Sequence, residues 1–248
     1  MELGLGGKRA AIAGGSSGLG LATARALARE GVRVAICGRD RSRAEAAARE
    51  IGATAIALVA DVSEVEQATG FVSDARSQLG GLDILVSNAG GPPPGTFEST
   101  PVEAYSGAIA LNLMSVVAMC KEAVPAMREQ GWGRVVAITS LAVRAPLATL
   151  ILSNTARAGA TGFLKTLARE VAGDGVTVNS LQPGLHATRR LEGLFGADLD
   201  TLAEQIPAGA LGRPEDFGAI AAFLCSESAR FITGAAIPVD GGSYEGLL

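Results

Sequence analysis

The stretch "RAAIAGGSSGLGLATARALAREG", residues 9–31, places an apolar run, a glycine-rich turn and a helical pattern in direct succession. The run at 9–14 predicts a β-strand, and the Leu- and Ala-rich segment that follows predicts a helix ending at Gly31. Gly14, Gly18 and Gly20 bracket the turn between them. Glycine permits such a turn and lets backbone N–H groups approach a pyrophosphate at the positive end of the helix. The stretch predicts a nucleotide-binding unit, and the alternative is an ordinary glycine-rich loop.

The same alternation of strand and helix continues along the chain. Further apolar runs predict strands at 32–37, 54–60, 82–88, 133–140, 176–182 and 235–242. Continuously apolar strands are typical of a parallel sheet that helices cover on both faces. We therefore predict a single α/β domain over 1–248, with a doubly wound parallel sheet of about seven strands, a Rossmann fold. In such a sheet, ligands bind beyond the carboxyl ends of the strands.

Composition excludes several classes of function. The chain has 248 residues, 48% of them hydrophobic, and a net charge of −4, with no long basic run, so we expect no nucleic-acid partner. Cys37, Cys120 and Cys225 are widely spaced, and there is a single His. This pattern predicts buried thiols in a reducing compartment, with neither a disulfide framework nor a metal site.

One uncharged segment, 104–120, approaches the length of a membrane span. It contains Asn112 and two serines and continues into a charged sequence, so we interpret it as a helix buried in protein. The N-terminus has no long apolar stretch and hence no secretory signal. We therefore expect a soluble, cytoplasmic protein with no membrane partner.

The ends of the next strands bear on the choice of nucleotide. An acidic residue after the second strand suits the ribose 2′-hydroxyl of NAD, whereas an Arg suits the 2′-phosphate of NADP. Here Arg39 stands at that point and Asp40 comes late for the acidic role. This order favours NADP(H) over NAD(H), unless Arg39 only caps a solvated loop. After the third strand, Asp61 is placed to accept a hydrogen bond from an adenine amino group.

Taken in order, these motifs resemble those of the short-chain dehydrogenase/reductase family. The resemblance covers the glycine turn, "SNAG" (87–90), Pro183-Gly184 followed by Thr188, and "ITGAAIPVDGG" (232–242). The segments "NAGGPPPG" (88–95) and "LSNTAR" (152–157) resemble an atypical subgroup similar to 3-oxoacyl-acyl-carrier-protein reductases. The resemblance implies an NAD(P)-dependent oxidoreductase of a small carbonyl/alcohol pair, with an acyl or polyketide-like substrate.

The resemblance also implies where the cofactor lies. Small residues such as Ala89 and Gly90 let the backbone pack against it. The implied cofactor contacts are Gly14, Ser16, Ser17, Gly18, Leu19, Gly20, Arg39, Asp61, Val62, Asn88, Ala89, Gly90, Arg157, Pro183, Gly184 and Thr188.

The catalytic positions of the family are only partly matched. Asn112 and Ser140 fall at its active-site Asn and Ser. The register of its Tyr-x-x-x-Lys pair falls on Ser153 and Arg157, and no Tyr in the sequence is followed by Lys four positions later. A Ser hydroxyl is far less acidic than a phenol, with its pKa of about 10, whereas Arg keeps the positive charge. We therefore expect a non-standard proton donor.

Several readings of this departure stay open. One is an oxidoreductase whose proton has three candidate sources: water, the substrate itself and His186. His186 follows the Pro183-Gly184 loop and has a suitable pKa range. An exposed loop histidine is the alternative for His186. The scaffold also admits a non-redox enzyme (isomerase, dehydratase or cyclase) or a nucleotide-binding protein without turnover.

The remaining expectations concern the lid and the partners. Residues 186–216 predict a substrate lid, in which Arg189 and Arg190 either meet an anionic group or are merely solvated. Two segments, 104–127 and 147–168, are apolar nearly all round and predict helices buried on every side. The sheet covers one side, so a homodimer or homotetramer, which the family resemblance also implies, covers the other.

Overall fold

A single parallel sheet of seven strands organises the protein. The structure, a computed structural model, describes the backbone of residues 2–195 and 199–247. The strand order β3-β2-β1-β4-β5-β6-β7 and the helices on both faces confirm the predicted fold. The strands are β1 (Arg9–Ile12), β2 (Arg33–Gly38), β3 (Ile56–Val59), β4 (Ile84–Ser87), β5 (Gly133–Ile138), β6 (Val176–Pro183) and β7 (Ala236–Val239).

Helices form a layer on each face of the sheet. Successive strand residues point to opposite faces, so Ile12 and Ile36 pack under one layer and Ala11 and Ala35 under the other. The first layer holds α1, α2 and α9, and the second holds α3, α5 and α6. The helices are α1 (Gly18–Arg29), α2 (Arg41–Ile51), α3 (Val65–Leu79), α4 (Ala104–Ile109), α5 (Ser115–Glu129), α6 (Ile151–Val171), α7 (Arg189–Phe195), α8 (Leu199–Glu204) and α9 (Pro214–Cys225).

The strand order reverses between β1 and β4. The chain runs outward from β1 to β2 and β3, then returns so that β4 pairs with the other side of β1. Such a reversal leaves a crevice at the carboxyl ends of the two strands, where doubly wound sheets bind ligands. The glycine turn after β1 and the "SNAG" segment after β4 both lie at this crevice.

The helix from Ala104 to Glu129 contains one irregular turn. Residues Ala110–Met114 form a π-turn between α4 and α5. The whole stretch is long and apolar enough to cross a membrane by length and composition alone, but half of its most apolar window is buried inside the protein. Its outer face is exposed, with Met114 at 39%. The single chain therefore leaves open the side for which we expect a second subunit, and cover by that subunit stays a prediction.

Helix α6 begins later than the apolar pattern predicted. It starts at Ile151, whereas we placed its start at Leu147. The preceding residues form a turn, in which the Leu150 N–H donates to the Leu147 carbonyl (3.0 Å). The Gly95 N–H donates to the Thr149 carbonyl (2.7 Å), and the Ile151 N–H donates to the Gly95 carbonyl (3.3 Å). This exchange ties the loop after β4 to the start of α6.

The three cysteines confirm the prediction of buried thiols. Cys37, Cys120 and Cys225 are all buried, and burial raises the pKa of each thiol to about 12. Helices α7 and α8 fall within the predicted lid, 186–216, of which residues 196–198 lie outside the described residues.

Candidate nucleotide-binding and catalytic site

The glycine turn after β1 is closed tightly enough to exclude side chains. Gly14 and Gly18 adopt positive φ angles of 58° and 55°, which favour glycine. A Cβ on Gly20 would lie 2.9 Å from the Gly14 carbonyl carbon and closer still to its oxygen. Ser17 precedes α1 without a side-chain hydrogen bond to its first turn, so those N–H groups are free to bind a ligand.

Asn88 holds this turn from the end of β4. Its Nδ2 donates to the Gly14 carbonyl at 3.3 Å. A Cβ on Gly14 or Gly20 would lie 2.6 or 2.8 Å from the same nitrogen. Asn88 was predicted only as a cofactor contact, and its role as a wedge in the turn depends on a tertiary contact that the motif does not show.

The ends of β2 and β3 carry exposed charges. Arg39 is 78% exposed at the end of β2, and its Nη1 lies 3.9 Å from an Asp61 carboxylate oxygen. The other Asp61 oxygen accepts hydrogen bonds from the backbone and hydroxyl of Ser63. A Cβ on Gly38 would lie 3.0 Å from the Ser16 Cβ and closer to its hydroxyl oxygen, so Ser16 of the glycine turn faces the end of β2.

Arg157 is a buried cation held by backbone carbonyls. Its Nη1 donates to Ile138 (3.0 Å) and Thr139 (2.9 Å) at the end of β5, and its Nη2 lies 3.3 and 3.4 Å from the carbonyls of Ala89 and Gly90 after β4. The residue is only 8% exposed. Burial, and then the nearby charge of Arg190, lowers the pKa of its guanidinium to about 10. Arg157 therefore stays charged near neutral pH and joins the ends of two neighbouring strands.

Asn112 reaches the same point from the π-turn. Its Nδ2 donates to the Gly90 carbonyl at 2.9 Å, so Asn112 and Arg157 share one acceptor. Its Oδ1 is buried and has no hydrogen-bond partner within the described residues. An orphaned buried oxygen of this kind is a place where a water or a ligand donates. A π-turn inside a helix often occurs at a functional site, and here it carries Asn112.

The two serines lie on either side of this cluster. Ser140 follows β5, and its Oγ accepts from the Ala142 N–H (3.1 Å), which leaves its own hydrogen available for donation. Ser153 lies on α6, is 7% exposed, and precedes Arg157 by four residues on the same face. Ser140 therefore lies at the carboxyl end of β5, and Ser153 lies on the helix whose Arg157 binds the carbonyls at that end.

The loop after β6 closes onto the glycine turn. Gly184 packs so tightly that its Cβ would lie 2.9 Å from the Asp240 Cα, and its N–H donates to the Val239 carbonyl. The Thr188 methyl faces Gly18, at 3.7 Å from where a Cβ on that glycine would lie. Two of the predicted cofactor segments are thus neighbours in space.

His186 packs into the protein on the side of α9. Its ring meets Phe217 edge-on, with the centroids 5.2 Å apart, and its Nδ1 lies 3.2 Å from the Gly184 carbonyl, which can only accept. Its other ring nitrogen faces Gly212, where a Cβ would lie 2.7 Å away. Within the described residues these contacts join His186 to the α9 side, and none joins it to Ser140, Ser153 or Arg157. His186 is buried, not an exposed loop residue, and its proposed part in catalysis stays a prediction.

We expect His186 to make stability decline on the acid side of neutrality. Burial lowers the pKa of its imidazole below the ordinary value of 6.5, so below that value the unfolded chain takes up the proton first. Stability is complete above pH 6.5 and falls as the pH drops toward the lowered pKa of the folded protein. Urea unfolding from about pH 7.5 to about pH 5 should show this slope in the wild type and a shallower one in His186→Gln. Parallel slopes in the two proteins would contradict the assignment.

Arg144 makes a structural link beside the candidate site that the sequence did not reveal. Its Nε donates to Gln182 Oε1 and its Nη2 to the Ala236 carbonyl, both at 2.7 Å, and its guanidinium lies 5.4 Å from the centroid of the Tyr244 ring. It thereby connects the segment after Ser140 to β6 and β7. No local pattern marks it, because all of these side-chain partners are distant in the chain.

The chain is similar to known proteins over nearly its whole length. A family profile described as enoyl-(acyl carrier protein) reductase matches residues 13–244. D-beta-hydroxybutyrate dehydrogenase of Cupriavidus necator is 34% identical over 253 residues, covering 96% of this chain and 98% of that protein. The 3-oxoacyl-acyl-carrier-protein reductase FabG of Escherichia coli is 33% identical over 238 residues, with 96% and 98% coverage.

Solved structures show the same architecture. L-sorbose reductase from Gluconobacter frateurii, complexed with NADPH and L-sorbose, has a TM-score of 0.92 and 34% identity, with 100% of both chains covered. A 7 alpha-hydroxysteroid dehydrogenase complexed with NADH and 7-oxo glycochenodeoxycholic acid has a TM-score of 0.92 and 28% identity, covering 100% of this chain and 98% of that one. The likeness therefore extends over the whole sheet and its helices.

Proposed function

The chain belongs to the short-chain dehydrogenase/reductase family, and the relatives described above are dehydrogenases and reductases. We propose that it is an NADP(H)-preferring enzyme of a carbonyl/alcohol pair with a non-standard proton donor. The observation that carries this proposal is the cradle after β1. There, Gly20 leaves no room for a Cβ and the first turn of α1 is without a side-chain cap. This geometry fits a nucleotide pyrophosphate. A bound nicotinamide supplies or accepts the hydride of such a reaction.

The preference for NADP(H) is supported by the charges after β2. The carboxylate of Asp40 accepts the backbone N–H of Arg43 (2.8 Å) and the hydroxyl of Ser42 (2.9 Å), and these bonds lower its pKa. It is therefore engaged as the cap of α2 and is poorly placed for a ribose hydroxyl. Arg39 is exposed beside it with only a long contact to Asp61, and Ser16 faces the same point. A cation and a hydroxyl suit a 2′-phosphate.

Reduction of a carbonyl needs one proton on its oxygen, and we assign that proton to water. Ser140 keeps a hydrogen to donate to the carbonyl oxygen, and Asn112 Oδ1 is a buried acceptor for a water. Ser153 orients substrate or water, because an aliphatic hydroxyl is too weak an acid to replace a phenol. Positioned donors alone are worth about 10²–10³-fold, so turnover without the family's Tyr is slow and measurable.

We further propose that the enzyme works in the cytoplasm on an acyl or polyketide-like substrate, as a homodimer or homotetramer. The exposed outer face of α4, the π-turn and α5 supports the assembly, since Met114 lies on it in the single chain. A second subunit would cover that face. The assembly leaves the assignment of the nucleotide cradle unchanged.

A second candidate is a nucleotide-binding protein without redox turnover. It is favoured by Arg157, whose Nη1 and Nη2 are both committed to the carbonyls of Ile138, Thr139, Ala89 and Gly90. A panel of carbonyl compounds with NADPH decides between the two. Loss of nicotinamide absorbance supports the oxidoreductase, and product without that loss indicates a non-redox enzyme. Binding without any product supports the second candidate.

Arg39→Gln is expected to weaken NADPH binding about tenfold or more and to leave NADH binding unchanged, because only NADPH carries the 2′-phosphate. The measurement is a titration with each nucleotide, followed by nicotinamide fluorescence. Arg49→Gln, which removes another exposed Arg at the far end of α2, is the matched control. Equal loss for NADPH and NADH would show that Arg39 does not read the phosphate.

A further inference from the structure

Arg157 and Arg190 bind consecutive backbone carbonyls after β4, and neither arginine is paired with a carboxylate in the described part of the chain. Arg157 lies under the carbonyls of Ala89 and Gly90, and Arg190 lies over the next residue, with its Nη1 3.3 Å from the Gly91 carbonyl. Their charges are close enough that Arg190 contributes to lowering the pKa of Arg157. Among the described residues, neither has an Asp or Glu within ion-pair distance.

Two other arginines that pack closely, Arg134 and Arg9, do have such partners. Arg134 is 2% exposed and has Glu227 at 3.7 Å, and Arg9 has Asp83 at 2.7 Å. Two cations beside each other repel, and the cost grows where water is excluded. An anion placed between or beside them would relieve it.

Arg190 is held only loosely in its present position. Its guanidinium lies against Gly91, where a Cβ would meet its Cζ at 2.8 Å. Its hydrogen bond to the Gly91 carbonyl is long, and its side chain is exposed on α7. The remaining N–H groups of the guanidinium are available, and their planar fork matches a carboxylate or a phosphate.

The position of Arg190 places it toward the substrate. Thr188, two residues earlier, faces Gly18 of the nucleotide turn, whereas Arg190 contacts Gly91. Asn112 binds the neighbouring Gly90 carbonyl, so Arg190 lies beside the catalytic cluster.

We propose that Arg190 is a specificity residue that binds an anionic group, a carboxylate or a phosphate, on the carbonyl substrate. This inference rests on the proposed oxidoreductase function. The anion takes the guanidinium from the weak contact with the Gly91 carbonyl and neutralises the pair of cations. Arg157, whose Nη1 also holds the carbonyls of Ile138 and Thr139 at 3.0 and 2.9 Å, stays in place and supplies the second charge.

The test is calorimetric binding of matched probes to the full chain saturated with NADP⁺, with which a ketone cannot be reduced. One pair is acetoacetate and its neutral methyl ester, and the other is dihydroxyacetone phosphate and dihydroxyacetone. We expect the anionic member of at least one pair to bind about tenfold to a hundredfold more tightly, and the pair that shows it tells carboxylate from phosphate. Arg190→Gln should abolish the difference, and Arg189→Gln, its exposed neighbour, should retain it.

Three results would overturn the inference. The first is equal affinity for the anionic and neutral probes, and the second is an Arg190→Gln variant that loses affinity for both members of a pair alike. The third is an Arg190→Gln variant that loses affinity for NADP⁺ itself, which would assign the residue to the cofactor. A different result would reject the proposed function, namely that the wild type binds neither NADPH nor NADH. Intact nucleotide binding without a preference for anions therefore rejects the role of Arg190 alone.

Discussion

Ser153→Tyr is expected to raise the rate of NADPH-dependent carbonyl reduction about 10²–10⁴-fold, the contribution of a positioned general acid. Ser153 is nine-tenths buried on α6 and lies four residues before Arg157 on the same face. Arg157 keeps its charge because its pKa is lowered only to about 10. A phenol beside that cation has its pKa lowered toward neutrality, so it becomes an effective acid. The measurement is kcat/KM over a panel of ketones, followed by nicotinamide absorbance.

Two further variants test this explanation, one for the added bulk and one for the partner cation. Ser153→Phe brings the ring without the hydroxyl and should give no gain. The double variant Ser153→Tyr with Arg157→Lys should also gain, though it gives up part of the bonding to the carbonyls of Ile138 and Thr139. The gain should be lost as the pH rises through the pKa of the new Tyr. No gain in the single or the double variant would mean that the pocket serves a different chemistry.

Gly20→Ala is expected to weaken NADPH binding about a hundredfold and to lower the free energy of unfolding by about 1–3 kcal/mol. The new Cβ would lie 2.9 Å from the carbonyl carbon of Gly14 and 2.8 Å from Asn88 Nδ2. The atoms it meets are backbone and a wedged amide, so the turn must open to admit it. Opening moves the N–H groups of α1 away from the pyrophosphate. Nucleotide titration and urea unfolding measure the two effects.

Gly70→Ala is the matched control for this substitution. Gly70 also lies in a helix, α3, and nothing lies within 4 Å of the position of its Cβ. The same chemical change should therefore raise stability, by up to about 1 kcal/mol, because Ala is the better helix former. NADPH binding should not change. If Gly20→Ala behaved like Gly70→Ala, the turn would be looser than its contacts indicate.

Local sequence was sufficient for the fold and for the tight glycine turn after β1. The apolar runs predicted each of the seven strands to within a few residues, because an apolar strand and the helix after it are encoded in neighbouring positions. Gly14, Gly18 and Gly20 likewise show a tight turn by themselves, since only glycine tolerates its angles and its closeness. Parallel topology then places the ends of the strands at one edge.

The catalytic side depended on contacts between distant residues. The sequence places Arg157 on a helix, but its four carbonyl partners come from the ends of β4 and β5. His186 and Arg190 belong to one short segment of the chain, but His186 packs against Phe217 of α9 and Arg190 contacts Gly91. The π-turn around Asn112 and the late start of α6 have no local pattern either. Side-chain direction, burial and the sharing of backbone carbonyls are set by packing between elements, so only the tertiary structure decides them.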